Sequence, residues 1–116
     1  MTFDAFDVVV VPFPFSDRSA AKRRPALVVS STAFNKAHEQ RVLAMITTAA
    51  KTVWPSDVPI SDLAAAGLRA ASVVRFKLFT LDGGLILRGI GALSRRDAET
   101  VMKALTQYLA GVRRTI

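Results

Sequence analysis

The stretch Ser94-Arg95-Arg96-Asp97-Ala98-Glu99-Thr100-Val101-Met102-Lys103-Ala104-Leu105-Thr106-Gln107-Tyr108-Leu109-Ala110-Gly111 decides the architecture. Ala98, Val101, Met102, Leu105, Tyr108 and Leu109 recur at helical spacing, so a helix would carry them as one apolar stripe. Ser94 can cap the N-terminus by accepting from backbone amides that lack a helical partner, and Asp97 stands three residues on in a capping-box pattern. Gly111 stops the helix, and Arg113 and Arg114 fall near the negative end of its dipole. One amphipathic helix cannot bury its own stripe. It needs a surface, and the only candidate is a sheet built by the residues upstream.

Those residues read as strands. Asp7 to Phe13 is a valine-rich run closed by Pro12 and Pro14, which suits a strand buried on both faces and stopped by proline. Residues 14 to 24 are small, polar and then basic, and read as a mobile loop. Pro25 to Ser31 and Arg41 to Thr48 are two further apolar strands. A short strand around Asp57 to Ile60 follows the turn-like Trp54-Pro55-Ser56. Asp62 to Leu68 suggests one or two helical turns or a loop. Ser72 to Phe79 and Leu85 to Ile90 read as strands, with Asp82-Gly83-Gly84 as a hairpin signal between them. Strands followed by one closing helix predict a mainly β (α+β) domain spanning 1–116: a strongly curved antiparallel sheet or partly open barrel with a long C-terminal helix packed on it.

Composition narrows the chemistry. The 116 residues hold 16 Lys and Arg against 9 Asp and Glu, a formal charge of +7, which favours an anionic partner such as nucleic acid or an acidic protein segment. With no cysteine there is no disulfide framework, thiol nucleophile or Cys-ligated zinc. The single histidine, His38, excludes a two-histidine ribonuclease mechanism within one chain. Apolar runs such as Val8–Val11 end far short of the roughly 18 residues of a membrane span. Asp4 and Asp7 stand where a signal peptide would carry basic residues, so the expected setting is soluble and cytoplasmic. The scattered aspartates at positions 4, 7, 17, 57, 62 and 82 read as turn and cap residues, so no metal or other cofactor is expected.

The informative motif is Lys22-Arg23-Arg24-Pro25-Ala26-Leu27-Val28-Val29-Ser30. Pro25 biases Arg24 toward extended backbone and fixes it at the mouth of the sheet, with Lys22 and Arg23 on the loop side. A basic run is usually a solvated turn. Here it also suits a phosphate-binding arginine on a rigid element. Ile46-Thr47-Thr48 ends an apolar strand; threonine is an ordinary strand residue, and its hydroxyl can donate to a phosphate oxygen. Trp54, Phe13 and Phe15 can stack on bases or simply pack. His38 has a useful pKa range but lies in Phe34-Asn35-Lys36-Ala37-His38-Glu39, which reads as an exposed connection.

Taken in order, Asp7–Phe13, the Arg24-Pro25 motif and Leu43-Ala44-Met45-Ile46-Thr47-Thr48 resemble the MazF/PemK (Kid) family of toxin–antitoxin ribonucleases. Val73 to Asp82 is similar to the family's later strand, and Ile90-Gly91-Ala92-Leu93-Ser94 to the approach to its last helix. The resemblance covers roughly residues 6 to 110. It implies an SH3-like, MazF-type barrel working as a homodimer, and metal-independent cleavage of single-stranded RNA to 2′,3′-cyclic phosphate and 5′-hydroxyl ends. It also implies a cognate antitoxin that covers the groove. The family's catalytic arginine falls on Arg24 and its threonine on Thr47; in Kid-like members a later-strand arginine maps to Arg75. Arg18, Lys22, Arg23, Lys51 and Arg69 are the expected RNA-phosphate contacts.

The chain departs from the family pattern twice. Phe6-Asp7 replaces the usual Gly-Asp, and Arg75-Phe76-Lys77 carries no carboxylate where the later strand often has an acidic or polar residue. Two other readings share the barrel. One is a gyrase poison of the CcdB type, which uses C-terminal residues against a protein; here the tail is the basic Arg113-Arg114-Thr115-Ile116. The other is a basic barrel that binds RNA without cutting it.

Overall fold

The computed structural model describes residues 2–13, 22–49 and 52–114. Among the described residues, six strands form one sheet: β1 (Asp7–Phe13), β2 (Lys22–Val28), β3 (Gln40–Thr48), β4 (Val58–Pro59), β5 (Ser72–Asp82) and β6 (Arg88–Ala92). Their order across the sheet is β4-β5-β3-β2-β1-β6, and every neighbouring pair is antiparallel. The described residues also form the α-helices α1 (Thr32–His38), α2 (Leu63–Ala66) and α3 (Arg95–Leu109). The expected antiparallel sheet with a long C-terminal helix is what the chain forms. No described helix is long and apolar enough to cross a membrane.

The central strands are apolar on both sides because the sheet has a core on each face. Val8, Leu27, Ala44, Ile46, Val74 and Phe76 pack with Val101 of α3 on one face. Val9, Val11, Ala26, Val28, Leu43, Leu81 and Ile86 pack together on the other. A run such as Val8–Val11 therefore alternates between two interiors, and all four valines are buried.

Several boundaries differ from the sequence reading, each for a physical reason. Lys22, Arg23 and Arg24 are not loop: they pair with Phe13, Pro12 and Val11 and begin β2, which ends at Val28. Pro12 does not stop β1. The β1–β6 pairing ends at Val10 and the β2–β3 pairing starts at Ala26, so Pro12 and Pro25 each sit just where one paired neighbour ends, which proline tolerates. Asp82-Gly83-Gly84 is not a hairpin. The Asp82 carboxylate accepts from the Gly84 amide at 2.8 Å and caps a single 3-10 turn, Gly83–Leu85. The chain then crosses to the far edge, where β6 pairs with β1. Residues 34–38 are helical rather than an open connection, capped by the Ser31 hydroxyl accepting from Phe34 N.

The stripe of α3 is only partly covered. Val101 is buried and Ala98, Ala104 and Leu105 pack on the sheet core. Met102, Tyr108 and Leu109 remain 51%, 49% and 44% exposed, contrary to burial of the whole stripe. The capping box is also only half made. Ser94 Oγ accepts from Asp97 N at 3.1 Å, but the Asp97 carboxylate turns to another element. It accepts from Ser61 Oγ at 2.6 Å and from the amides of Ser61 and Asp62 at 3.0 to 3.2 Å. Asp97 is thus a buried hook fastening α3 to the segment after β4. Burial alone would raise its carboxyl; the hydrogen bonds from Ser61, Asp62 and Ser94 outweigh that and hold it below the ordinary value.

Asp97→Ala leaves those donors unsatisfied and should lower the unfolding free energy by roughly 1–3 kcal/mol in urea denaturation. Because the folded carboxyl lies below the unfolded one, its stabilisation is complete above about pH 4 and fades as pH falls through the folded value. The Asp97→Ala variant should lack that acid-side loss.

Candidate functional site

Strand register brings the three candidate catalytic residues to one face. Ala26 pairs with Met45, and Met45 in turn pairs with Arg75 on β5; Thr47 pairs with Val73. Directly opposed residues of an antiparallel pair share a face, and alternate residues of a strand do too. Arg24 alternates with Ala26 and Val28, and Thr47 alternates with Leu43 and Met45. Arg24, Thr47 and Arg75 therefore share the face away from α3, beyond the end of the second core cluster. Continuing the β2–β3 register past its last pair sets Arg24 across from Thr47. Arg24 is exposed and Thr47 half-buried. Among the described residues none makes an ion pair with Arg24.

Arg75 is different. Its Nε and Nη2 donate to the two Asp57 carboxylate oxygens at 3.0 and 2.8 Å, its Nη2 also donates to the Thr52 carbonyl at 2.7 Å, and its Nη1 donates to Thr52 Oγ1 at 3.3 Å. Its guanidinium carbon lies 5.2 Å from the centre of the Trp54 ring. The carboxylate missing from β5 is thus supplied by the turn before β4. Asp57 is the turn residue its place in the sequence suggests: it accepts from Trp54 N at 3.0 Å while its own amide donates to the Trp54 carbonyl at 2.9 Å. Its second role was invisible in the sequence.

The hydrogen bond from Arg75 holds the Asp57 carboxyl below the ordinary carboxylate range, against burial, with help from the Trp54 amide and the arginine's charge. The same bond pushes Arg75 up. Neither group is poised to exchange a proton near neutrality. Thr52, Val53, Trp54, Pro55 and Asp57 enclose a hollow of about 240 Å³ with Ala49, Pro59 and Val73, and Val73 is the strand partner of Thr47. A larger hollow, about 620 Å³, runs along α3 from Glu99 to Gln107 and touches none of the candidate residues.

The other expected contacts disperse. Lys22 is exposed and alternates with Arg24, so it shares the site's face; Arg23 is exposed on the opposite face. Arg69 lies in the α2–β5 connection, where Ala71 accepts from Ala49 at 3.1 Å beside the end of β3. Arg18 and Lys51 lie outside the described residues. His38 ends α1, its ring against Phe34 at 4.7 Å. It precedes the start of β3 while Thr47 is near the end, so at about 3.3 Å per residue the two stand roughly 20 Å apart.

An arginine without an ion pair among the described residues, a hydroxyl and an aromatic-walled hollow thus share one face of an antiparallel sheet whose fold is that of the MazF-type toxins. The chain belongs to the PemK-like, MazF-like toxins of type II toxin–antitoxin systems, whose family model matches residues 4–109. No curated protein sequence matches it. Among solved structures it resembles MazE–MazF from Deinococcus radiodurans, with TM-score 0.76 and 21% identity over 97% of this chain and 100% of that one. It also resembles an endoribonuclease in complex with its cognate antitoxin from a mycobacterial species, with TM-score 0.74 and 19% identity over 97% and 100%. A third likeness is to MazF from the same Deinococcus, with TM-score 0.71 and 23% identity over 96% and 99%.

Trp54 is the only tryptophan, so its emission reports on the Arg75 contact. With Asp57 held low, emission should stay constant from neutral pH down to about pH 4 and change only below it. A transition centred higher would contradict the Asp57–Arg75 tie.

Proposed function

We propose that this chain is the toxin of a toxin–antitoxin pair and acts in the cytoplasm as an endoribonuclease on single-stranded RNA. RNA carries its own nucleophile. The ribose 2′-oxygen attacks the adjacent phosphorus and loses its proton, the bond from phosphorus to the 5′-oxygen breaks, and that oxygen takes up a proton. The products are a 2′,3′-cyclic phosphate and a 5′-hydroxyl. The protein needs to hold the diester in line and stabilise the charge that grows on the nonbridging oxygens. Arg24 suits that task because a guanidinium forks onto two oxygens and keeps its charge. Thr47 donates its hydroxyl to a nonbridging oxygen. Lys22 and Arg69, with Arg18 and Lys51, hold neighbouring phosphates.

The observation that carries this reading is the shared face of Arg24 and Thr47 in a chain whose family match spans 4–109. The family supports two partners, a second copy of the chain and a cognate antitoxin. With +7 on the chain, an acidic antitoxin segment fits by charge.

Incubation with bare RNA should yield cyclic-phosphate ends, and chelator should leave the rate unchanged. Arg24→Ala should cut turnover by about two to three orders of magnitude, the scale of losing one charge-stabilising donor. Near-normal cleavage by that variant removes Arg24 from the mechanism, and a protein that binds RNA without cutting it refutes the nuclease. Sedimentation should give twice the 12.5 kDa chain mass.

A further inference from the structure

We propose that Asp57 is a positioning residue: by occupying Arg75 it withholds that arginine from phosphate and fixes Trp54 as the wall of a nucleobase subsite beside Thr47. This rests on the ribonuclease reading and departs from it at Arg75.

The geometry begins with the guanidinium. It has five N–H donors, and four are used, two by Asp57 and two by Thr52. A phosphate forks onto a guanidinium along one of its two-nitrogen edges. The Nε–Nη2 edge is filled by the Asp57 carboxylate, and the Nη1–Nη2 edge by the carbonyl and hydroxyl of Thr52. The side chains of Arg75 and Asp57 are 13% and 7% exposed. Pulling Arg75 onto a phosphate would strand a largely buried carboxylate, the costly way to break such a pair.

What the pair does hold is the turn from Thr52 to Asp57. That short segment is tied at both ends: Thr52 through its carbonyl and hydroxyl, Asp57 through its carboxylate. Trp54 lies between them, with Arg75 over its ring and the residue still 39% exposed. The adjoining hollow of about 240 Å³ is apolar on Val53, Pro55, Pro59 and Val73, and polar at Thr52 and Asp57. An aromatic ring, apolar side chains and few polar atoms suit a planar heterocycle. Because Val73 pairs with Thr47, a base held there belongs to a nucleotide next to the phosphate that Thr47 and Arg24 would engage. The pair acts before substrate arrives: the wall is set in advance, so binding does not have to order it.

The test compares Asp57→Asn, Asp57→Glu, Arg75→Gln, Trp54→Ala and the Asp57→Asn/Arg75→Gln double variant. Each is measured for kcat and KM on single-stranded RNA, and for salt-dependent binding of an all-deoxy oligonucleotide that lacks the 2′-nucleophile. Asp57→Asn, Arg75→Gln and Trp54→Ala should each raise KM about tenfold, within the range for losing one stacked base, with kcat within about twofold. The double variant should be no worse than either single, as expected for one coupled unit. Asp57→Glu should recover most of the loss. Trp54 emission should shift in Asp57→Asn without RNA, and the oligonucleotide should quench it in the unsubstituted protein.

Unchanged emission in Asp57→Asn overturns the clamp whether or not RNA is cleaved. If Arg75→Gln lowers the salt slope by about one phosphate while Asp57→Asn tightens binding, Arg75 is a phosphate ligand and the proposal fails. A fall in kcat at constant KM in Asp57→Asn would put Asp57 at the reacting atoms instead. Trp54→Ala alters an exposed ring, so it keeps the subsite testable if the paired variants misfold. An unsubstituted protein that neither binds nor cuts RNA refutes the ribonuclease reading and leaves the emission test standing.

Discussion

The antiparallel register between β2 and β3 is the constraint on which the site depends. Three pairs are recorded, Ala26 with Met45, Leu27 with Ala44 and Val28 with Leu43. A slip of one residue would exchange the faces of every side chain on β2 and turn Arg24 toward α3, away from Thr47. The two cores forbid it. Ala26, Val28 and Leu43 fill one interior while Leu27 and Ala44 fill the other, and all five are fully buried. A sheet with one solvated face could accept a slip by exposing small residues. This one would have to rebuild two packed layers, so an exposed arginine is positioned by buried valines and leucines.

Charge is then divided unevenly over that face. Arg24 is unpaired among the described residues, whereas Arg75 is neutralised by Asp57 at 2.8 Å. Two arginines on one sheet face of a +7 chain are easily read as two phosphate ligands. The structure separates them. One is free to meet an anion, and the other has exchanged that freedom for a fixed turn.

How much of this the sequence disclosed follows from the range of each interaction. Strands β1, β2 and β3 and helix α3 were legible because long apolar runs or a long helical period leave few alternatives. Helix α1 was missed because its seven residues bury only Asn35 and give no apolar stripe to detect. Gly83-Gly84 was misread because glycines suit a 3-10 turn as well as a hairpin; only the pairing of β6 with β1 distinguishes them. The exposed half of α3 is not visible in the sequence because periodicity reveals an apolar face but not what covers it. Arg24 and Thr47 stood in recognisable local motifs. The Asp57–Arg75 pair joins residues 18 apart through the β4–β5 pairing, and neither residue has a neighbour in sequence that signals the other.

That pairing links the site to α3. β4 is only two residues long, held to β5 through Val58 with Val74 and Pro59 with Val73. Two residues of ladder are too few to fix a strand by themselves. The chain on either side of β4 is fastened instead by two aspartates. Before it, Asp57 grips Arg75; after it, Ser61 and Asp62 donate to the buried Asp97 of α3. Ile60 adds one bond to Ser72 at 3.0 Å. The helix that looked like a simple cover for the sheet therefore also anchors the far side of the segment that walls the Trp54 hollow. Loosening Asp97 would relax one end of that wall, and loosening Asp57 the other. The precision of a surface hollow on one face thus rests partly on a carboxylate buried against the opposite one.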